Sequence, residues 1–157
     1  MNWDQIGNWF VMFLSGCGVA LEIFAVTLVC AIPLGVLLSF GRRSKYKVIS
    51  WPVSLYISIM RGTPLMLQLL VVFYGPYYLF GATLTTSYRF QAVIIGFALN
   101  YAAYFAEIYR SGIQAVPQGQ HEAAKILGYS KSQTFFKIVF PQMAKNILPS
   151  VTNEVIT

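Results

Sequence analysis

Acidic side chains are nearly missing from this chain: five Asp and Glu stand among 157 residues, and charged residues of both signs reach only 10%. A soluble domain of that size needs more polar surface than this, so the hydrophobic 57% must face lipid or other helices. His121 is the single histidine, which removes both a zinc-binding pair on a helix and any Cys/His metal cluster. The two cysteines, Cys17 and Cys30, fall in one apolar segment. As a helix that segment holds them about 19 Å apart along its axis, too far to bridge. With no pair of membrane aspartates and no serine beside an evident buried base, an intramembrane enzyme lacks its parts. No basic n-region with a short apolar run and cleavage site opens the chain, so no removable signal peptide is expected. No internal repeat, heptad run or low-complexity tract is present.

What is present is apolar runs bordered by cations. The net charge of +6 would suit a nucleic-acid binder, but the cations cluster beside apolar spans, as cytoplasmic loops do, so a lipid bilayer and no nucleic acid is expected. From Ile23 to Gly41 no side chain is charged, and Glu22 to Arg42 as a helix covers about 30 Å, the hydrocarbon thickness. Glu22 then marks one interface, and Trp3, Trp9 and Phe10 before it suit the headgroup level. Arg42, Arg43, Lys45 and Lys47 place the other end in the cytoplasm and the N-terminus outside. Lys47 to Met60 reads as a helix near the inner face that bends at Arg61, Gly62, Thr63 and Pro64, with Thr63 capping the next helix and Arg61 snorkelling to the interface. That next span ends in an aromatic belt and is broken by Gly75, Pro76 and Gly81.

The expected fold is therefore all-α, a polytopic membrane helix bundle in one domain, 1–157, with spans at roughly 20–41, 62–80, 89–110 and 142–157 and a cytoplasmic loop at 112–140. A span starting at Lys145 advances only about 18 Å by Thr157, so the fourth span is expected to be incomplete.

The loop carries the strongest local signals. Pro117 to Leu127 reads as a short helix ended by Gly128 at a left-handed position, and Ser130 with Gln133 forms a capping box for a second helix that Pro141 stops or bends. Ala123 and Ala124 give the first helix a small-residue face able to enter a partner's cleft. Glu122 and Lys125, one turn apart, pair with each other or with a partner's charges.

The pattern Glu122, Ala123, Ala124, Gly128, Ile138 and Pro141 resembles the EAA loop of ABC-type importer permeases, with Phe140 where that family usually has leucine. Arg61 to Pro64 with Gln68, the run Asn100 to Ile113, and Thr152, Asn153, Glu154 are similar to blocks of its polar amino acid subfamily, in the same order. The resemblance implies a type I ABC importer permease-like bundle whose rest of the fourth span and last helix lie beyond this sequence. It also implies partners: a second permease subunit, identical or homologous, two ABC ATP-binding subunits, and an extracytoplasmic amino-acid-binding protein. The six EAA residues then couple the chain to the ATPase, which binds ATP, while this chain carries no cofactor and no catalytic residue. The location implied is the bacterial plasma membrane.

Candidates for the substrate path are ionisable and polar residues within spans. Glu154, helical from Lys145, sits about 13 Å into the bilayer. It is either a counter-charge for an ammonium or cationic group or the partner of a neighbouring arginine. Asn153 lies beside it. Asn100 and Tyr104, four residues apart, either line a polar path or bond helices together, the commoner use, and Gln68 has the same two readings. Glu107 and Arg110 read as a mutual pair at the inner interface. The competing reading is a non-transporting membrane scaffold or channel subunit, which has no reason to retain an ATPase.

Overall fold

The computed structural model describes residues 3–156, with the side chains of Trp3 and Asp4 also left undescribed. The expectations placed on the Trp3 side chain and on Thr157 thus fall outside what is described. Helix α1 spans Trp3–Arg42, α2 Lys47–Gly62, α3 Leu65–Phe80, α4 Thr86–Gln114 and α5 Gln118–Ile126. Then α6, Lys131–Thr134, runs through a π-helical turn at Phe135–Val139 into α7, Phe140–Ile156.

Three boundaries depart from the sequence reading. The first is α1, which is continuous from Trp3 and so reaches about 60 Å, twice the hydrocarbon thickness. Glu22 lies mid-helix, because Gly16 and Gly18 weaken a helix without breaking it. Second, Gly75 and Pro76 lie inside α3, which only Gly81 ends, in the left-handed region at φ 65°. The carbonyl that Pro76 leaves without its usual donor is that of Val72, and the Tyr88 hydroxyl of α4 donates to it at 2.7 Å. Third, the 112–140 loop is mostly helical; only 115–117 and 127–130 are irregular. Pro141 does not stop the second helix. The preceding turn widens so that Phe140 N–H donates to Phe135 O, and the backbone runs on past Pro141, which has no N–H to place.

Helix α4 is the hub: it packs on α1, α2, α3 and α7, and holds most of the buried residues. On α1 the buried positions are Thr27, Ala31, Gly35 and Ser39, each four apart, a seam of small side chains that lets two helices approach closely. A Cβ on Gly35 would lie 2.6 Å from Phe105 Cβ and 3.2 Å from the Ala102 carbonyl oxygen. Gly112 does the same for α7, since a side chain there collides with Ile147. Among the described residues two helices, Gln5–Arg42 and Thr86–Gln114, are long and apolar enough to cross a membrane, and α2 with α3 qualifies as one span bent by 113°.

Candidate functional site

The α2–α3 bend follows from Pro64. Thr63 does not cap α3: it ends α2, and its hydroxyl donates to Ile59 O at 2.8 Å. Pro64 cannot supply the N–H that Met60 O would accept in a continuing helix. Two amides replace it, Gln68 Nε2 donating at 2.9 Å and Asn100 Nδ2 at 3.2 Å. Asn100 Nδ2 also donates to Gln68 Oε1 at 2.9 Å, and Gln68 Nε2 to Thr63 Oγ1 at 2.7 Å. Asn100 and Gln68 thus form a clasp across the bend, with Asn100 only 5% exposed, and neither lines the polar cleft beside it.

That cleft, of ≈ 550 Å³, lies between the end of α2, the C-terminal half of α4 and α7. Arg61, Tyr104, Glu107, Ser150, Asn153 and Glu154 line it. The Arg61 guanidinium carbon sits 5.5 Å above the centre of the Tyr104 ring, a cation–π placement, so Arg61 faces the cleft and does not snorkel away from it. Glu107 pairs with Arg110 as expected and also with Arg42 at the end of α1. Among the described residues these are the ion pairs, so Glu154 shares the cleft with Arg61 without closing one. Glu154 also borders a more apolar cavity of ≈ 380 Å³ with Thr27, Phe97 and Tyr101. Of the path residues expected from the sequence, the cleft brings together Tyr104, Asn153 and Glu154. Sequence reasoning missed Arg61, whose place depends on the bend.

The second feature is the hairpin of α5 and α6. At its turn Gly128 has φ 76°, Gly128 N–H donates to Lys125 O at 3.1 Å and Tyr129 N–H to Ala124 O at 3.0 Å, the paired bonds of a Schellman stop. Ser130 Oγ accepts from Gln133 N–H at 3.3 Å while Ser130 N–H donates to Gln133 Oε1 at 2.9 Å, completing the capping box. Lys137 Nζ lies 5.5 Å above the Tyr129 ring.

The expected two-alanine face is half wrong. Ala123 is exposed, but Ala124 is 0% exposed, because α5 closes on the π-helical turn through that side. Glu122 is exposed and does not pair with Lys125. The apolar surface instead lies at the tip, where Ile126 is 87% and Leu127 71% exposed. The root is a buried cluster of Ile113, Val116, Val139 and Met143, which joins the hairpin to α4 and α7, with Ile138 half-buried and Pro141 exposed beside it.

A polytopic helical membrane domain, with a capped helical hairpin rooted between two helices that line a polar cleft, is the class these features define. Residues 31–157 match the family described as binding-protein-dependent transport system inner membrane component, and the chain belongs to that family. It is 38% identical over 144 residues to the arginine transport system permease protein ArtQ of Bacillus subtilis (strain 168), covering 92% of this chain and 64% of that one. Against the putative glutamine transport system permease protein GlnP of Rickettsia bellii (strain RML369-C) the identity is 37%, over 93% of this chain and 66% of the relative. The L-cystine transport system permease protein TcyB of Bacillus subtilis (strain 168) is 34% identical over 99% of this chain and 65% of its own. Thus this chain spans about two thirds of the length of the curated relatives it matches. A crystal structure of an amino acid ABC transporter with histidines superposes with a TM-score of 0.87 at 35% identity, covering 99% of this chain and 71% of that one.

Proposed function

We propose that this chain forms the membrane path of an ATP-driven importer of polar amino acids and that the α5–α6 hairpin is its coupling element. The observation that carries this reading is the hairpin itself: a doubly capped body with an exposed apolar tip, rooted in the two helices that line the cleft. Membership of the transport family and the relatives named for arginine, glutamine and cystine support it.

In this reading Arg42 to Lys47 and the hairpin face the cytoplasm, by the excess of Lys and Arg there, and the N-terminus faces outward. ATP-binding subunits receive Glu122, Ala123, Gly128 and the tip formed by Ile126 and Leu127, while Ala124, Ile138 and Pro141 shape the hairpin and its root. ATP, bound by those subunits, closes them and the hairpin follows. The buried cluster at the root then shifts α4 against α7, opening or closing the cleft. A second permease subunit completes the path, and an extracytoplasmic binding protein delivers the amino acid.

The cleft is chemically suited to such a zwitterion. Arg61 offers a carboxylate partner, Glu154 an acceptor for an ammonium or guanidinium group, and Tyr104 and Asn153 line the same cleft. Asn100 and Gln68 act on the path through the α2–α3 bend, without lining the cleft.

Two experiments test this. Gly128→Val forces a β-branched residue into the left-handed region, at about 1–2 kcal/mol, and removes the stop. Coexpressed with a candidate ATP-binding subunit, the unsubstituted chain is expected to retain it on purification and G128V to lose most of it; equal retention counts against the coupling role. In a permease completed to the relatives' length and assembled with its ATPase, Glu154→Gln is expected to reduce arginine uptake roughly tenfold, the scale of one lost charged contact. Unchanged uptake would remove Glu154 from the recognition site.

A further inference from the structure

A third cavity lies apart from the polar cleft, against the root of the hairpin. It is a groove of ≈ 480 Å³ between the inner-end turns of α1, α4 and the start of α7, lined chiefly by Val36, Phe40, Tyr109, Phe136, Phe140 and Ile147. Its walls are almost entirely apolar, and Phe136 and Phe140 are largely exposed, so the groove opens at the side of the bundle. The stripe of α1 that forms one wall continues past the helix end. Arg43 N–H donates to Ser39 O at 3.3 Å and Phe40 O at 3.2 Å, which carries the helical turn forward and sets Arg43 one turn beyond the lining residues Ser39 and Phe40.

Arg43 opens a run of cations that the protein leaves uncompensated. Arg42 is taken by Glu107, but Arg43, Lys45 and Lys47 are exposed, and among the described residues no carboxylate pairs with them. An apolar groove leading out to unpaired cations at the end of a membrane-length helix matches one ligand in shape and charge: an acyl chain below, a phosphate above. A soluble anion would not use the groove, and a neutral lipid would not use the cations.

We propose that this groove binds one anionic phospholipid of the inner leaflet, its acyl chain against Phe136, Phe140 and Ile147 and its phosphate at Arg43, with Lys45 and Lys47 within the same field. Because the π-helical turn and α7 form one wall, the lipid would sit against the root of the hairpin. The proposal rests on the reading that the Arg42 end of α1 is cytoplasmic.

The test uses the full chain in phosphatidylcholine nanodiscs that contain a minor fraction of phosphatidylglycerol with a photoactivatable group in its acyl chain. Crosslinked peptides are mapped by mass spectrometry. Labelling is expected to concentrate on Val36–Phe40 and Phe136–Ile147, to be competed by unlabelled phosphatidylglycerol and not by phosphatidylcholine, and to disappear in Ala144→Trp, which fills the groove. Arg43→Gln, an exposed change that spares the fold, is expected to lower the preference for phosphatidylglycerol about fivefold, the share of one surface cation. Equal competition by phosphatidylcholine, or labelling spread as strongly along the N-terminal half of α1, would overturn the site. Ser44→Cys, in a chain without Cys17 and Cys30, separates the two readings with an impermeant maleimide. Labelling from outside intact cells overturns the topology. Protection from outside, together with unselective crosslinking, overturns the lipid site alone.

Discussion

Gly35 and Ser39, one turn apart on the buried face of α1, respond differently to substitution. Gly35→Val pushes a branched side chain against Phe105 and the Ala102 carbonyl, which cannot retreat without moving α4, and overpacking of this kind costs about 1–3 kcal/mol. The Ser39 hydroxyl is buried without a hydrogen-bond partner, so Ser39→Ala removes an unsatisfied group and is expected to be neutral or to stabilise by up to about 1 kcal/mol. Unfolding of the two variants in detergent, followed by helical signal, checks both signs. The four-residue spacing of Thr27, Ala31, Gly35 and Ser39 is written in the sequence, but its meaning depends on α4 presenting Ala102 and Phe105 opposite. A spacing names a face without naming what covers it.

At the scale of elements, two prolines show why some breaks form and others do not. Both Pro64 and Pro76 deprive a carbonyl four residues back of its helical donor. At Pro76 one Tyr88 hydroxyl satisfies Val72 and α3 continues; at Pro64 the chain turns by 113° and Gln68 and Asn100 converge on Met60. All of the rescuing groups except Gln68 come from α4, far along the chain, which is why local reading broke α3 at Pro76 and mistook Thr63 for a cap. Removal of either amide, by Gln68→Leu or Asn100→Leu, is expected to destabilise the bend by about 1–3 kcal/mol. The double variant should cost less than the sum, since both act on one carbonyl. A double-mutant cycle measures that coupling, and spin-label distances across the bend should broaden in each variant. By contrast, the Gly128 stop and the Ser130 and Gln133 box were legible beforehand because each joins residues within a few positions of one another.

Over the whole molecule, α4 and α7 connect the root of the hairpin to the cleft, and Met143 stands where these two helices meet. Met143→Ala empties part of the root cluster, a change worth about 2–5 kcal/mol in a packed core. Hydrogen exchange should rise in α5, α6 and the start of α7 while the α1–α4 seam keeps its protection. Uniform acceleration would mean that the hairpin is not a separate body. Composition, cation placement and the motif blocks were enough to define an all-helical membrane chain and the family to which it belongs, because these are properties of runs and of short local spacings. They did not locate Arg61 above Tyr104, turn Ala124 inward or join Arg42 to Glu107. Those contacts bring together groups from different helices, and a helix's own sequence fixes its faces but not the rotation and bend at which its neighbours meet it. That is why the hairpin could be read locally, whereas the polar cleft and the apolar groove exist only in the packed bundle.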